Sequence, residues 1–544
     1  MRAKTTVAHR KALTAFQQSL MAVLSGLLLS LAFLEASYYV FAWFAFVPLL
    51  FALRGACLWR SYLLGLLSGI AFCVSAGYWV VDFLMLSKGY SVNLSVMWSL
   101  IFWLYCAQLH GLIAVLFNWL RLRSTVHEFI LFPVVVVSLY ATFPMLFPVH
   151  LGESQSQFLS AIQAAEFSGV YGVDGIIALS NIVAFSLAGS VLTKNSRNIF
   201  TGATCVSFIA IIAWFGYGVF AIERWNFTLG QSDLIRIGIV QPNETPSLEK
   251  AKSYPGYSRA YPPEMAMTER LNEAGAELVI WPEAKYKAYV DQRNVSRAYH
   301  DQIRNLGTRL VFQDIEHTVA QKNSRSLQYN TALMLGADGS LLGDYQKMKR
   351  IPFGEYVPLV SDIPPLRAWV EEFFGKFLNE MAAGSSHQLF SDERFNIIPL
   401  ICYEVMFPEF VANAVTHAIN EITQPPVQST TKLGLLVGLS SNGWFGDTRQ
   451  PYQHVNASIL RAVENRMPLV HAVNNGPSIA ALPSGQVIFT SDYRQAGGYI
   501  VDIPEISADD LSFFSQYPKL FLFSIYGILA IIILYSSVCY KLRK

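Results

Sequence analysis

Charge is what this sequence has least of. Only 14% of its 544 residues are charged, against about a quarter in ordinary soluble domains, and the mean hydropathy of +0.35 excludes a purely water-soluble protein. The 40 Lys and Arg almost cancel the 38 Asp and Glu, and no basic run is long enough for a nucleic-acid footprint, so nucleic-acid binding is excluded. Six cysteines scattered through a long chain make no disulfide framework. No His/Cys pair has metal-ligand spacing, so no metal site is expected. Internal repeats, low-complexity tracts and long Gly/Ser linkers are also missing.

What charge there is lies unevenly. Residues 1–220 hold 17 of the 78 charged residues, 11 basic and 6 acidic. A hydrocarbon core about 30 Å thick needs around 20 apolar residues at 1.5 Å each, and eight runs approach that length: 15–34, 38–53, 61–84, 94–120, 128–147, 170–193, 199–222 and 519–540. Alternate loops carry Arg2, Lys4, Arg10, Lys11, Arg54, Arg60, Arg121, Arg123, Lys194, Arg197, Lys541, Arg543 and Lys544, whereas the opposite short loops carry only Lys88. The positive-inside rule then puts both ends in the cytoplasm and residues between the seventh and eighth spans outside it. Leu13–Glu35 runs straight into further spans without a cleavage pattern, so it reads as a retained anchor rather than a signal peptide. The expected division is 1–223, a membrane domain with seven spans; 224–518, an exported domain; and 519–544, a last span with a short basic tail.

The exported stretch is long enough to bury its own core. Its β-like runs are Leu234–Gln241, Glu277–Pro282, Thr308–Asp314, Thr331–Leu335, Ile397–Tyr403, Leu435–Leu439, Leu469–Val473 and Ile479–Leu482, interleaved with helical stretches such as Pro263–Gly275 and Gln453–Asn465. Ala337-Asp338-Gly339 and Pro483-Ser484-Gly485 read as hairpin turns. Strands and helices mixed in this way imply a layered sandwich. Cys402 alone among the cysteines belongs to this part; a lone cysteine in an oxidising compartment is either a small buried hydrophobe or a reactive thiol, and spacing alone favours the first.

Polar residues gather where strands end. Ile280-Trp281-Pro282-Glu283 stops a strand on a carboxylate, Tyr345–Pro358 offers Lys347 and, eight residues on, Glu355 in a Pro/Gly-rich loop, and Pro399–Glu404 ends another strand at Cys402. Each has a bland alternative: a strand-end ion pair for Glu283, a solvated surface charge for Lys347 beside Lys349 and Arg350, a buried ion-pair partner for Glu404. Snorkelling explains Asp82, Glu166 and Asp174 near span ends.

Together these residues resemble the nitrilase superfamily, and a nitrilase-like domain held between membrane spans looks like the apolipoprotein N-acyltransferase family. Ser441–Asp447, Tyr452-Gln453-His454, Arg461–Glu464 and Asn474-Asn475-Gly476, with Gly152–Gln155, Gly169–Gly172 and Asn181 in the membrane half, follow the family's order. The resemblance implies a helical membrane bundle of about eight spans plus an exported αββα sandwich, in the bacterial inner membrane with the catalytic domain on the periplasmic side. It implies Cys402 as nucleophile, Glu283 as general base and Lys347 as oxyanion partner that also lowers the thiol pKa. The Tyr403 amide would assist at the oxyanion, Glu355 would orient or relay protons, Glu404 would support the site, and His454 would pack or hydrogen-bond. No cofactor is implied. The implied reaction moves an acyl chain from a phospholipid, phosphatidylethanolamine being the expected donor, through a Cys402 thioester to the α-amine of a diacylglyceryl-cysteine apolipoprotein. A membrane-tethered amidase or thioesterase using the same three residues is the rival.

Overall fold

The computed structural model describes residues 13–193, 202–245, 255–284, 286–319, 326–356, 363, 365–366, 369, 381–422, 433–506 and 511–542. Arg2, Lys4, Arg10, Lys11, Lys194, Arg197, Arg543 and Lys544 of the charge tally lie outside them, as do residues 357–358 of the lysine motif.

Among the described residues, six helices are long and apolar enough to cross a membrane. Five come first: α1 (Ala15–Leu34), α2 (Leu58–Ala76), α3 (Val92–Arg123), α4 (Val170–Thr193) and α5 (Gly202–Leu229); the sixth is Leu520–Leu542. The other two expected runs are shorter. Residues 38–53 form a 3-10 turn, Ala36–Trp43, and a six-residue helix, Val47–Ala52. Helix Glu128–Thr142 has 15 residues, about 22 Å at the α-helical rise, and stops before Pro144. The run read as 61–84 breaks at Gly77, and a second helix, Val80–Lys88, follows.

Small residues set the bundle's spacing. A Cβ on Gly65 would lie 2.3 Å from the His110 carbonyl oxygen and one on Gly69 2.5 Å from that of Ala107, so α2 meets α3 backbone to backbone, as apolar helices do where lipid supplies no hydrophobic drive.

Two acids expected to snorkel are buried instead. Asp174 accepts from His150 Nδ1 at 2.9 Å and from the Gly152 amide at 2.8 Å. Glu166 pairs with Arg224 at 3.2 Å and with Arg466 of the sandwich. Short side chains this near a span end find partners in the neighbouring loop more readily than they reach water.

After α5 the chain forms two six-stranded sheets. The first, in the order β12-β1-β2-β3-β4-β5, comprises β1 (Leu234–Gln241), β2 (Leu278–Ile280), β3 (Arg309–Val319), β4 (Ser326–Leu335), β5 (Leu341–Gln346) and β12 (Gly497–Pro504). The second, β11-β10-β9-β8-β7-β6, comprises β6 (Phe390–Ser391), β7 (Phe395–Ile401), β8 (Leu433–Ser440), β9 (Leu469–Val473), β10 (Ile479–Ala481) and β11 (Val487–Thr490). Both expected hairpin turns join paired strands, β4 to β5 and β10 to β11. Strands β1-β2-β3 and β7-β8-β9 run parallel.

Period-two geometry explains the unbroken apolar runs. In β7, Phe395, Ile397 and Ile401 enter the core between the sheets, while Ile398 and Leu400 face the helices outside, as expected of a parallel strand buried on both faces. Helices α6 (Pro263–Glu273) and α7 (Arg293–Leu306) cover the first sheet. Helices α8 (Pro408–Ile422) and α9 (Gln450–Asn465) cover the second. The result is the αββα sandwich.

The membrane half docks on the outer face of the second sheet. Gln453 of α9 donates to the Phe33 and Ala76 carbonyls at 3.2 and 3.1 Å and accepts from Trp79 at 3.2 Å, while Arg449 pairs with Glu35 at 2.9 Å. Phe445 stacks on Phe83 and meets Trp79 edge-on, each at 5.3 Å between centroids.

Candidate active site

Parallel strands present functional groups at their carboxyl ends, and β2 and β7 both end on one. β2 stops as Trp281 buries its ring and donates Nε1–H to Thr268 at 2.8 Å. Pro282 has no amide to extend the ladder, and Glu283 follows, half-buried. β7 stops because Cys402 takes φ +50°, a left-handed conformation rare for a residue with a Cβ. The strand therefore does not continue through Glu404. A 3-10 turn, Cys402–Met406, starts there, and the two residues do not share a strand face.

Lys347 follows β5 and is 1% exposed. Its Nζ donates to Glu355 Oε1 at 2.8 Å, and Glu355 Oε2 accepts the Ile351 amide at 2.8 Å, so one carboxylate aims the ammonium and closes its own loop. Asn330 of β4 donates to Glu283 Oε1 at 2.6 Å. Cys402 and Glu283 each shift the other's titration, and Lys347 lies in the field of both. The structure thus brings Glu283, Lys347, Glu355 and Cys402 together.

Glu404 has no ion-pair partner among the described residues. Oε1 accepts from the Tyr345 hydroxyl at 2.7 Å and the Met348 and Lys349 amides at 2.7 and 3.0 Å, and Oε2 accepts the Ile401 amide at 2.8 Å. It ties the segment bearing Lys347 to the turn bearing Cys402. Tyr403 packs edge-on to Phe147 and gives its hydroxyl proton to the Leu146 carbonyl of the membrane half. His454 lies between Asn442 Oδ1 at 2.9 Å and the Cys402 carbonyl at 3.3 Å; burial drops its pKa to about 4, so the imidazole is neutral and holds the nucleophile's backbone.

Lys347 pulls the Cys402 thiol down, as expected, but is outweighed. Burial pushes the Cys402 thiol up, Glu283 adds to it, and the opposing pull of Lys347 does not overcome them. The resting sulfur is therefore a protonated thiol. Burial also raises Glu283, against the pull of Lys347 and of the Asn330 hydrogen bond. For Lys347, burial favours the neutral amine, but Glu355 and Glu283 outweigh it and hold the group firmly charged. Such a site has a half-buried base beside a neutral nucleophile, with a fixed cation in the field of both.

Asn330 and the clasp made by Glu404 escaped sequence reasoning. The signal for Asn330 was its parity: it shares a strand face with Ala332 and Met334, which lie in the inter-sheet core, so a polar residue there needs a polar partner. The expected result of Asn330→Ala follows from the sign of its hydrogen bond. Losing that donor raises Glu283 further, so the acid limb of Cys402 alkylation by a neutral electrophile moves to higher pH; a limb that stays in place would contradict the assignment.

Cys402, alone of the four groups, lines a cleft between the two halves. Its sandwich wall includes Cys402, Tyr403, Met406 and Phe445, and its membrane wall includes Phe33, Trp79, Phe147 and Val149. The cleft is therefore largely apolar, with Cys402 in its lining.

Two family models match the chain: the apolipoprotein N-acyltransferase N-terminal domain over residues 25–183 and carbon-nitrogen hydrolase over residues 251–510. The apolipoprotein N-acyltransferase of Geobacter metallireducens is 28% identical over 84% of this chain and 84% of its own length. That of Brucella suis is 24% identical over 58% of this chain and 56% of its own length. Among solved structures, an amidase from Nesterenkonia is similar over 53% of this chain and 97% of its own, with 19% identity and a TM-score of 0.36.

Proposed function

The chain belongs to the apolipoprotein N-acyltransferase family of the nitrilase superfamily, a membrane acyltransferase acting on lipoproteins, and from that premise we propose how its residues carry the reaction. Cys402 attacks the ester carbonyl of a phospholipid while Glu283 takes the thiol proton. Lys347, with the Tyr403 amide, balances the charge on the tetrahedral oxygen. The ester C–O bond breaks, Glu283 returns the proton to the leaving oxygen, and a lysophospholipid departs from a Cys402 thioester. The α-amine of a diacylglyceryl-cysteine then attacks the thioester, Glu283 takes its proton, and the amide forms as the thiol is restored. Glu355 orients Lys347 throughout.

One observation supports this most: Cys402 lines a cleft whose other wall includes the membrane-half aromatics Phe33, Trp79 and Phe147. An acyl chain leaves a bilayer at about 0.8 kcal/mol per CH₂, so an apolar wall continuous with membrane helices lets both lipid substrates reach the sulfur without that cost. We further propose phosphatidylethanolamine as donor, the bacterial inner membrane as location with the cleft on the periplasmic side, and the division into 1–223, 224–518 and 519–544.

The test is a stoichiometric turnover with radiolabelled phosphatidylethanolamine and a diacylglyceryl-cysteine peptide. One triacylated peptide per lysophospholipid released is the expected result. Label recovered as free fatty acid whether or not peptide is present would replace the transferase with the hydrolase.

A further inference from the structure

The cleft's lining contains a single charged residue among those described, Glu153, and the proposed chemistry gives it no task. It sits in a short helical turn, Leu151–Gln155, in the loop before α4, and lines the same cleft as Cys402, Phe147 and Ser154. We propose that Glu153 binds the primary ammonium group of a substrate in this cleft, an inference that rests on the acyl-transfer reading above.

Three observations carry it. Glu153 is 6% exposed, and its Oε2 accepts the His150 amide at 3.2 Å. Its Oε1 is buried without a hydrogen-bond partner, and a carboxylate oxygen left so is costly unless something arrives to meet it. Neither nearby cation pairs with it: His150 Nδ1 is held by Asp174 at 2.9 Å, and Arg461 gives Nη2 to Glu464 Oε1 at 3.0 Å while its Nη1 stays buried without a hydrogen-bond partner. They supply field without contact. Burial accordingly raises Glu153 to about 7 against the pull of His150 and Arg461, the condition of an acid that a bound cation would return to its charged form.

The rest of the lining narrows the ligand. Gln450, Gln453, Asn456 and neutral His454 are its other polar side chains besides Ser154 and Tyr403, so nothing there favours an anion. An ammonium offers three donors on a compact charge and suits one unpaired carboxylate oxygen. Two substrates present that chemistry: the acceptor through its α-amine and phosphatidylethanolamine through its headgroup.

Glu153→Gln keeps the size and the acceptor for the His150 amide while removing the charge. In the full chain in nanodiscs, two ratios are measured: the rate of thioester formation from phosphatidylethanolamine over that from phosphatidylglycerol, and KM for the diacylglyceryl peptide over that of wild type. A fall of about tenfold in the first assigns the site to the donor headgroup, and a rise of about tenfold in the second assigns it to the acceptor amine, tenfold being the size of one lost charge-assisted contact. Glu153→Asp, which retains the charge, recovers part of either change. Equal slowing with every lipid and peptide, or no change in either ratio, overturns the proposal and leaves Glu153 a structural or water-bridged acid. Absence of a thioester on the wild-type chain would overturn the acyl-transfer reading and this inference with it, a result distinct from those two.

Discussion

Lys347→Met is expected to slow formation of the acyl-enzyme by about 10²–10³-fold, the loss typical of removing one preorganised oxyanion partner. The side chain is 1% exposed and bonded to Glu355 at 2.8 Å, so its charge is fixed before substrate arrives and does not reorganise during attack. Lys347→Arg is expected to restore little, because a planar fork does not fit a space shaped around one ammonium. The pH profile carries a second signature. Lys347 pulls the Glu283 pKa down against burial; without it Glu283 rises further, and the acid limb of acylation moves to higher pH. Rapid-quench measurement of lysophospholipid release across pH checks both. A loss below tenfold with an unmoved acid limb would remove Lys347 from the oxyanion role.

Glu404→Ala carries the second large effect, on stability and rate together. It strands the Ile401, Met348 and Lys349 amides and the Tyr345 hydroxyl. Hydrogen bonds to a charged group contribute about 1.5–3 kcal/mol, and unpaired buried donors cost about 1–3 kcal/mol each, so a destabilisation of about 3–5 kcal/mol is expected. The clasp joins the lysine segment to the cysteine turn, so what remains folded should lose kcat more than KM. Glu404→Gln keeps an acceptor and falls between. Thermal unfolding in detergent with thioester formation at a permissive temperature separates the two effects; a stable, fully active Glu404→Ala chain would contradict the clasp.

How much of this was legible in sequence follows from the range of each interaction. Apolar length and period-two alternation are local, and they located β1 and β9 to the residue. The same local signals missed β5, β6, β11 and β12, which are short, polar on one face or at a sheet edge, and gain strand geometry from pairing. Helix Glu128–Thr142 was overcounted because Phe143–Phe147 is as apolar as a span although Pro144 ends the helix. At the site, the resemblance implies that Glu355, eight residues after Lys347, orients the lysine, and the two share a hydrogen bond. What sequence could not give is burial: whether the thiol sits above or below its ordinary pKa depends on how much protein covers it. The same applies to Asp174 and Glu166, whose partners His150, Arg224 and Arg466 come from other segments, and to Glu404, whose partners are three backbone amides and the Tyr345 hydroxyl of β5.

The central claim is that Cys402 carries the acyl chain between two lipid substrates. Intact mass of the purified chain after incubation with phosphatidylethanolamine, alongside Cys402→Ala, tests it most directly. The account predicts an added acyl mass on the wild type alone, released by hydroxylamine and lost, with appearance of an N-acylated product, when a diacylglyceryl-cysteine peptide is added. An adduct of the same mass on Cys402→Ala, or peptide acylation by that variant, would contradict it.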